Sequence, residues 1–195
     1  FSRVKIGGQI RLGPTFNAPS CVSCHGGNGR GELRITPKSS GSDTAVKVSV
    51  ATGTPALPGG PVPVPKIGLQ VRDHALPGTV PDATVRVHWS LTHGAYADGT
   101  PYTLRAPMVS LSNLPKGAPR HFMKSLRRAP AVYGAGLLDA VPQSTLLALE
   151  DPYDENGDGI SGRANVVWDV RSKANRVGKF GFKAGAPSLL QQVAA

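Results

Sequence analysis

Residues 21–25 of the chain are Cys-Val-Ser-Cys-His, and this stretch decides how the rest of the sequence is interpreted. Two thiols separated by two residues can bond to the two vinyl groups of one haem, and the adjacent imidazole then lies under the iron as its proximal ligand. The glycine-rich segment GGNGRG at 26–31 gives the backbone freedom to pass along the porphyrin edge. We therefore predict one c-type haem, held covalently by Cys21 and Cys24, with His25 on its iron.

Three other chemistries compete for these residues. A zinc site would need a further pair of ligands, and only scattered histidines and carboxylates remain in the sequence. A thioredoxin-type cysteine pair begins a helix after a strand, a context that the preceding GPTFNAPS does not provide. A nucleotide-binding loop would end in lysine and serine, which GGNGRG lacks. Haem attachment is the interpretation that accounts for all three side chains of the motif.

Several residues are candidates for the ligand on the other side of the iron. A thioether ligand raises the reduction potential and favours electron transfer, whereas an open position admits peroxide or a substrate. We predict Met108, in the segment RAPMVSL, although a methionine more often fills a core. The next candidate is His93, and the remaining thioether and imidazole side chains are Met123, His74, His88 and His121.

Composition predicts a loop-rich globular fold. The 195 residues include 24 glycines and 18 prolines but only 6% aromatic residues, while 39% are hydrophobic. A haem would supply the apolar core that the few aromatic side chains do not. We predict a single domain over 1–195 of the α+β class, a cytochrome c-like haem domain with short helices and a β-rich insertion.

The formal charge of +10 arises from 22 basic and 12 acidic residues. The basic residues are spread along the chain, and one modest cluster comprises Arg120, Lys124, Arg127 and Arg128. Aromatic residues do not alternate with them as they would in a nucleic-acid stacking surface, so we expect no nucleic-acid partner. The basic surface is either simply solvated or docks an acidic redox partner.

Alternating apolar and polar residues predict strands at 43–52 (DTAVKVSVAT) and 83–92 (ATVRVHWSLT). The proline- and glycine-rich segment 57–68 lies between them, and we place a β-rich insertion at about 36–106. The remainder, 107–195, is predicted to be helical, with short helices in 129–141 and 142–152 and a last helix in PSLLQQVAA.

An acidic loop within 151–163 (DPYDENGDGISGR) predicts a calcium site. Side-chain oxygens at every second position converge on one hard cation in calcium loops, and a glycine supplies the sharp turn. The predicted ligands are Asp154, Asn156, Asp158 and the carbonyl of Ile160. Asn165 stands where such loops carry a bidentate glutamate, so Glu150 or Asp151 would have to substitute. The alternative is a polar turn rich in Asp, Asn and Gly.

Six segments of the chain also occur in the order found in one known family. They are GPTFNAPSCVSCHGGNGRG, LQVRDHALPG, YADGTPYTLRAP, APAVYGAGLLDAVP, DENGDGISGRANVVWD and GKFGFKAGAPSLLQQVAA. Together they resemble the first half of the bacterial di-haem oxidoreductases, which are often labelled peroxidases or thiol oxidoreductases. The resemblance covers nearly the whole chain.

This resemblance implies haem binding at Cys21, Cys24 and His25, and it matches the family's acidic segment to 154–162. The family's tryptophan near the inter-domain region corresponds to Trp168, either as an electron relay between haems or as a structural residue. Members of the family carry a second haem motif in a second half, and this chain ends where that half would begin. We therefore expect a fragment or a subunit that meets a second haem domain or another redox partner.

Three functions are consistent with these features. The first is an electron-transfer haem protein, periplasmic or exported because covalent haem attachment takes place outside the cytoplasm. The second is a peroxidase-type oxidoreductase that reduces hydrogen peroxide at an open haem face. The third is a docking or assembly subunit of a larger complex. The sequence shows no apolar run of about 20 residues, so we predict no transmembrane segment.

Overall fold

The computed structural model describes residues 3–6, 9–31 and 44–194. The first part of the predicted β-rich insertion, up to residue 43, lies outside these ranges. The strands are β1 (Arg3–Ile6), β2 (Gln9–Leu12), β3 (Thr15–Phe16), β4 (Thr44–Ser49), β5 (Gln70–Val71), β6 (His74–Ala75), β7 (Thr84–Ala95), β8 (Pro101–Ser112), β9 (Met123–Arg128), β10 (Val166–Asp169) and β11 (Ala174–Val177). The helices are α1 (Cys21–Cys24), α2 (Gly26–Gly29), α3 (Ala135–Ala140), α4 (Gln143–Leu147) and α5 (Leu189–Ala194). The prediction of a mixed, loop-rich fold with short helices is confirmed.

The described residues form two compact units, each with its own internal contacts. The sheet unit comprises the described residues of 3–53 and 62–131, and the C-terminal unit comprises 54–61 and 132–194. The predicted strands at 43–52 and 83–92 are present as β4 and β7. Strands also occur after residue 106, where the sequence predicted a helical part: β8 ends at Ser112 and β9 at Arg128.

The core of the sheet unit is built on the antiparallel sheet β5-β4-β9. Alternate residues of β4 face inward, so Val46 and Val48 are 2% and 4% exposed, and Val71 on β5 is fully buried. Successive side chains of a strand point to opposite faces, which is why alternation in the sequence predicted this strand. The other buried members of the core are Val64, Ile67, Ala83, Val85 and Val87.

The longest elements, β7 and β8, form a two-stranded antiparallel ribbon in which Thr84 pairs with Ser112 and Ala95 with Pro101. Only its base enters the core, where Val85 and Val87 are buried and Val109 and Leu111 pack against them. Beyond these residues the side chains of both strands are exposed or half-buried.

The helices of the C-terminal unit are shorter than the sequence predicts. The helix expected within 129–141 begins only at Ala135, because Gly134 has a left-handed backbone (φ +74°) that cannot continue a helix. The helix expected within 142–152 is α4, which begins after Pro142 and ends at Leu147. The predicted final helix is present as α5. No helix in the described ranges is long and apolar enough to cross a bilayer.

Two polar side chains hold this unit together locally. Lys179 donates from Nζ to the carbonyl oxygens of Asp139 and Val141 at 2.8 and 2.6 Å, where the end of α3 leaves acceptors without helical partners. Asp169 accepts the Ser172 hydroxyl at 2.8 Å and the Arg171 backbone N–H at 2.9 Å in the turn between β10 and β11. The Ser172 hydrogen bond, supported by these backbone donors, lowers the pKa of Asp169.

Replacing Val71 by alanine should lower the free energy of unfolding by about 2 to 3 kcal/mol, because two fully buried methyl groups are lost and a cavity remains. The matched control is Val80→Ala in the same unit, whose side chain is 77% exposed and whose loss should cost less than about 0.5 kcal/mol. Urea unfolding of the two variants measures the difference, and equal effects would contradict the proposed core.

Candidate haem site

The two cysteines of the motif lie on a single helical turn, α1. Ser20 caps this turn, accepting the backbone N–H of Ser23 on its hydroxyl at 3.3 Å, and the backbone N–H of His25 bonds to the Cys21 carbonyl at 2.8 Å. Residues three positions apart on a helix share one face, so Cys21 and Cys24 project on the same side, and His25 follows directly as the C-cap of the turn. The two cysteines form no disulfide, and Cys21 is exposed while Cys24 is half-buried.

The glycines that follow the motif have conformations that their position requires. Gly27 and Gly29 have φ values of +54° and +80°, a region that side-chain-bearing residues rarely adopt. The chain can therefore turn sharply directly after His25. This explains the glycine-rich segment without reference to any ligand.

The His25 imidazole is oriented by a residue 105 positions away. Its Nδ1 lies 3.0 Å from the carbonyl oxygen of Pro130. A carbonyl oxygen only accepts hydrogen bonds, so Nδ1 must carry the proton, and in the neutral ring the lone pair is then on Nε2. Metal-binding histidines are usually held in this way, with the second ring nitrogen donating to a backbone carbonyl.

Asn17 fastens the segment before the motif to the core sheet. Its Nδ2 donates to the Val71 carbonyl at 2.6 Å and to Asp73 Oδ1 at 3.2 Å, and its Oδ1 accepts from the Gln70 amide. Alongside, β3 pairs with β6, which sets Phe16 opposite His74. Segments 13–31 and 69–78, both part of the family resemblance, are thus in direct contact.

The end of β9 fastens the segment after the motif. Arg128 donates from Nε to the carbonyl of the buried Gly31, and Pro130, which bonds to His25, lies two residues further along the chain. The motif is therefore tied to β5 and β6 on one side and to β9 on the other. Sequence reasoning assigned no role in the site to Asn17, Arg128 or Pro130. Each has a contact that uses a backbone carbonyl, which leaves no trace in residue type.

These residues fit a covalently attached haem. Two thiols outside any disulfide lie on one turn, which ends at an imidazole whose Nε2 is left for a metal. Across 3–6, 9–31 and 44–194, no three His, Cys, Asp or Glu side chains come together as a metal-binding group, so the zinc alternative lacks its further ligands there.

Both methionines lie outside the core. Met108 is on β8 opposite His88, with 58% of its surface exposed, and Met123 is 55% exposed at the start of β9. Neither is the core filler that an unliganded methionine often is. Met123 lies about 16 Å along β9 from Arg128, the residue that bonds to Gly31 after the motif. His93 bonds through Nδ1 to the Thr103 hydroxyl at 2.9 Å. Met108 as the second iron ligand stays a prediction.

The acidic loop of the C-terminal unit has the conformation of a tight polar turn. Asp154 has a φ of +55° and accepts the backbone N–H of Gly159 on both carboxylate oxygens at 3.1 Å. Asn156 and Asp158 accept backbone N–H groups within the same turn. Glu150 and Asp151, the residues expected to substitute for the missing glutamate, also accept backbone N–H groups. The donor to Glu150 is Ala164 and the donor to Asp151 is Glu155. Calcium binding here, with the Ile160 carbonyl as a ligand, stays a prediction.

Trp168 lies on β10 of the C-terminal unit and is half-buried. It pairs with Asn175 across the hairpin, and its backbone carbonyl accepts a hydrogen bond from the Gln191 amide at 2.9 Å. These contacts give the residue a structural role within the unit. Its alternative role, as an electron relay between two haems, stays a prediction.

Comparison with protein-family models matches residues 5–195 to the family described as "di-haem oxidoreductase, putative peroxidase". The match covers nearly the whole chain and includes both units. Comparison with curated proteins and with solved structures finds no match. The cytochrome c-like part of the fold prediction therefore stays a prediction.

Replacing Asn17 by alanine should lower the free energy of unfolding by about 1 to 3 kcal/mol, because half-buried polar partners on β5 lose their hydrogen bonds. A double-mutant cycle with Gln70→Ala, followed by urea unfolding, isolates the contact between the two amides. We expect the double variant to be more stable than the sum of the single effects implies. Strict additivity would show that the contact does not anchor the motif.

Proposed function

Because this chain belongs to the di-haem oxidoreductase family, we propose that it is an electron-transfer haem domain with one c-type haem on Cys21 and Cys24. His25 is the proposed iron ligand on one side and Met108 on the other. The coarse function, redox chemistry with haem, follows from family membership. The observation that supports the finer proposal is the hydrogen bond from His25 Nδ1 to the Pro130 carbonyl, which prepares Nε2 to bind iron.

When bound, the haem iron supplies a one-electron couple between the ferric and ferrous states. The residues of the chain hold this couple in place. Thioether bonds from both cysteines would make attachment permanent, and the Pro130 carbonyl fixes both the tautomer and the orientation of His25. The anchors at Asn17 and Arg128 limit movement of the motif. A site held from both sides suits electron transfer, which needs little rearrangement.

The proposed partner is an acidic redox protein or a second haem domain. A chain with a formal charge of +10 attracts acidic surfaces and accelerates their encounter. We also propose that the protein works in the periplasm or is exported, since thioether attachment of haem takes place outside the cytoplasm. No nucleic-acid partner is proposed.

The second candidate is a peroxidase that reduces hydrogen peroxide, and the description of the family favours it. The two candidates differ at the second axial position of the iron. A thioether in that position closes the site to peroxide, whereas an open position admits it. The identity of that ligand therefore separates an electron carrier from an enzyme.

Expression with export and haem maturation should give a coloured protein whose intact mass exceeds the polypeptide by one haem. The double variant Cys21→Ala/Cys24→Ala should have the mass of the polypeptide alone, because no thioether can form. The matched control is Val22→Ala, which alters a 75% exposed side chain between the two thiols and should keep its haem. A colourless wild-type protein of unmodified mass would refute the attachment.

Replacing Met108 by leucine should abolish the long-wavelength absorption band of sulfur-bound ferric haem and lower the reduction potential, because a thioether ligand raises it. Met123→Leu is the control, since that side chain is similarly exposed, and it should leave both properties unchanged. Optical spectra and redox titration measure them. A wild-type haem that is high-spin and five-coordinate would instead support the peroxidase.

A further inference from the structure

The outer part of the β7–β8 ribbon, residues 88–108, has two unlike edges. The backbone N–H of Tyr96 bonds to the Thr100 carbonyl at 2.9 Å, which makes this an inwardly hydrogen-bonded pair. Such pairs alternate with pairs whose backbone groups point away from the partner strand. Through the register, the even-numbered residues of the ribbon bond inward, and the odd-numbered residues direct their N–H and C=O groups outward.

Prolines interrupt the outward row of β8. Pro101 and Pro107 are both odd-numbered, so two of its outward positions lack an N–H group. The edge of β7 has no proline, and its outward residues in this part are Trp89, Leu91, His93 and Ala95. Within the described ranges β7 pairs only with β8. As far as the described residues go, the β7 edge is therefore open to a further strand, and the prolines protect the β8 edge against one.

The outer ribbon also has the composition of an interface. The whole ribbon, 84–112, contains no lysine and no glutamate, two of the residue types depleted at interfaces, and includes the enriched types Trp, Tyr, Met and Arg. Arg105 lies over the Trp89 ring at 4.5 Å, and Tyr96 and Tyr102 are in ring contact at 4.9 Å. Leu91, Leu104 and Tyr96 are 58 to 62% exposed. A two-stranded ribbon with this much uncovered apolar surface is only marginally stable alone in water.

Charge indicates the chemistry of the missing strand. The ribbon carries Arg86, Arg105 and two histidines against one carboxylate, Asp98, which already accepts the Thr100 backbone N–H. Beside β7, one face presents Arg86 and His88, and the other presents Trp89 and Leu91. A neighbouring strand would match both faces if carboxylates alternated with apolar side chains.

We propose that the outer edge of β7 binds an extended acidic segment of a partner protein, which pairs with Trp89, Leu91 and His93 as a third strand of the ribbon. Backbone hydrogen bonds along this edge supply affinity, and the alternation of acidic and apolar side chains supplies specificity. The inference rests on the ribbon alone and does not depend on the haem or on the proposed electron transfer.

The test uses the full chain as purified and a blocked eight-residue peptide of alternating valine and glutamate. Amide hydrogen exchange followed by NMR should show about tenfold slower exchange at Leu91 and His93 when the peptide is present, because their N–H groups become hydrogen-bonded. Exchange at Thr103 and Arg105, on the protected edge, should not change. A peptide of alternating valine and lysine should give no protection.

Leu91→Pro and Thr103→Pro form a matched pair, because each removes one outward N–H group and no backbone hydrogen bond of the ribbon. Thr103→Pro also removes the hydroxyl that bonds to His93 Nδ1, so His93→Ala is measured beside it to account for that contact. Leu91→Pro should weaken peptide binding about tenfold or more, and Thr103→Pro by less than about twofold. Circular dichroism of both variants verifies folding, and Trp89→Ala, which keeps the backbone, should also weaken binding. Equal binding by the two proline variants, or no protection of β7, would overturn the proposal. Protection of Leu91 without peptide that grows with protein concentration would show instead that a second copy of the chain occupies the edge.

Discussion

The hydrogen bond between His25 and the Pro130 carbonyl is the contact on which the organisation of the site depends. It joins the motif to the end of β9, and β9 in turn pairs along its full length with β4, the central strand of the core. The imidazole is therefore oriented by the packed sheet rather than by the short turn on which it stands. A one-turn helix has almost no stability of its own, so the position of the thiols also depends on the contacts of Asn17 and Arg128.

Patterns visible within a few residues predicted much of the structure. The motif at 21–25 predicts a haem site because its two thiols and its imidazole belong to one turn and the residue that ends it. Alternation located β4 and β7 because one face of each is buried at least in part. In contrast, β9 was missed: the residues that pair with the buried positions of β4 are Lys124, Leu126 and Arg128, so its sequence MKSLRR shows no apolar alternation. The strand forms because β4 offers it backbone hydrogen-bonding partners along its full length.

The parts of the site that were not predicted are long-range and chemically inconspicuous. Pro130 contributes a backbone carbonyl, and any residue type could have supplied it. Asn17 stands in a segment rich in turn-forming residues, where an asparagine has a local explanation. Only the fold shows that its amide bonds to Gln70 and Val71 instead. The family resemblance included these segments without assigning them a task, and the hydrogen bonds now supply one.

The base and the outer part of the β7–β8 ribbon differ in burial and therefore in what each can do. At its base, Val85 and Val87 are buried and contribute to the core, so the ribbon cannot detach without exposing apolar surface. Further out, the side chains of both strands are exposed or half-buried. Pro101 and Pro107 interrupt one edge there, while the other pairs with no strand in the described part of the chain. Met108 pairs with His88 near the boundary between these regions. The Met108 side chain stands out of the plane of the ribbon and the outward backbone groups of Leu91 lie in it, so the iron ligation and the strand addition that we propose do not compete for the same atoms. A redox domain arranged in this way could engage a partner through the ribbon while the core continues to hold His25 in place.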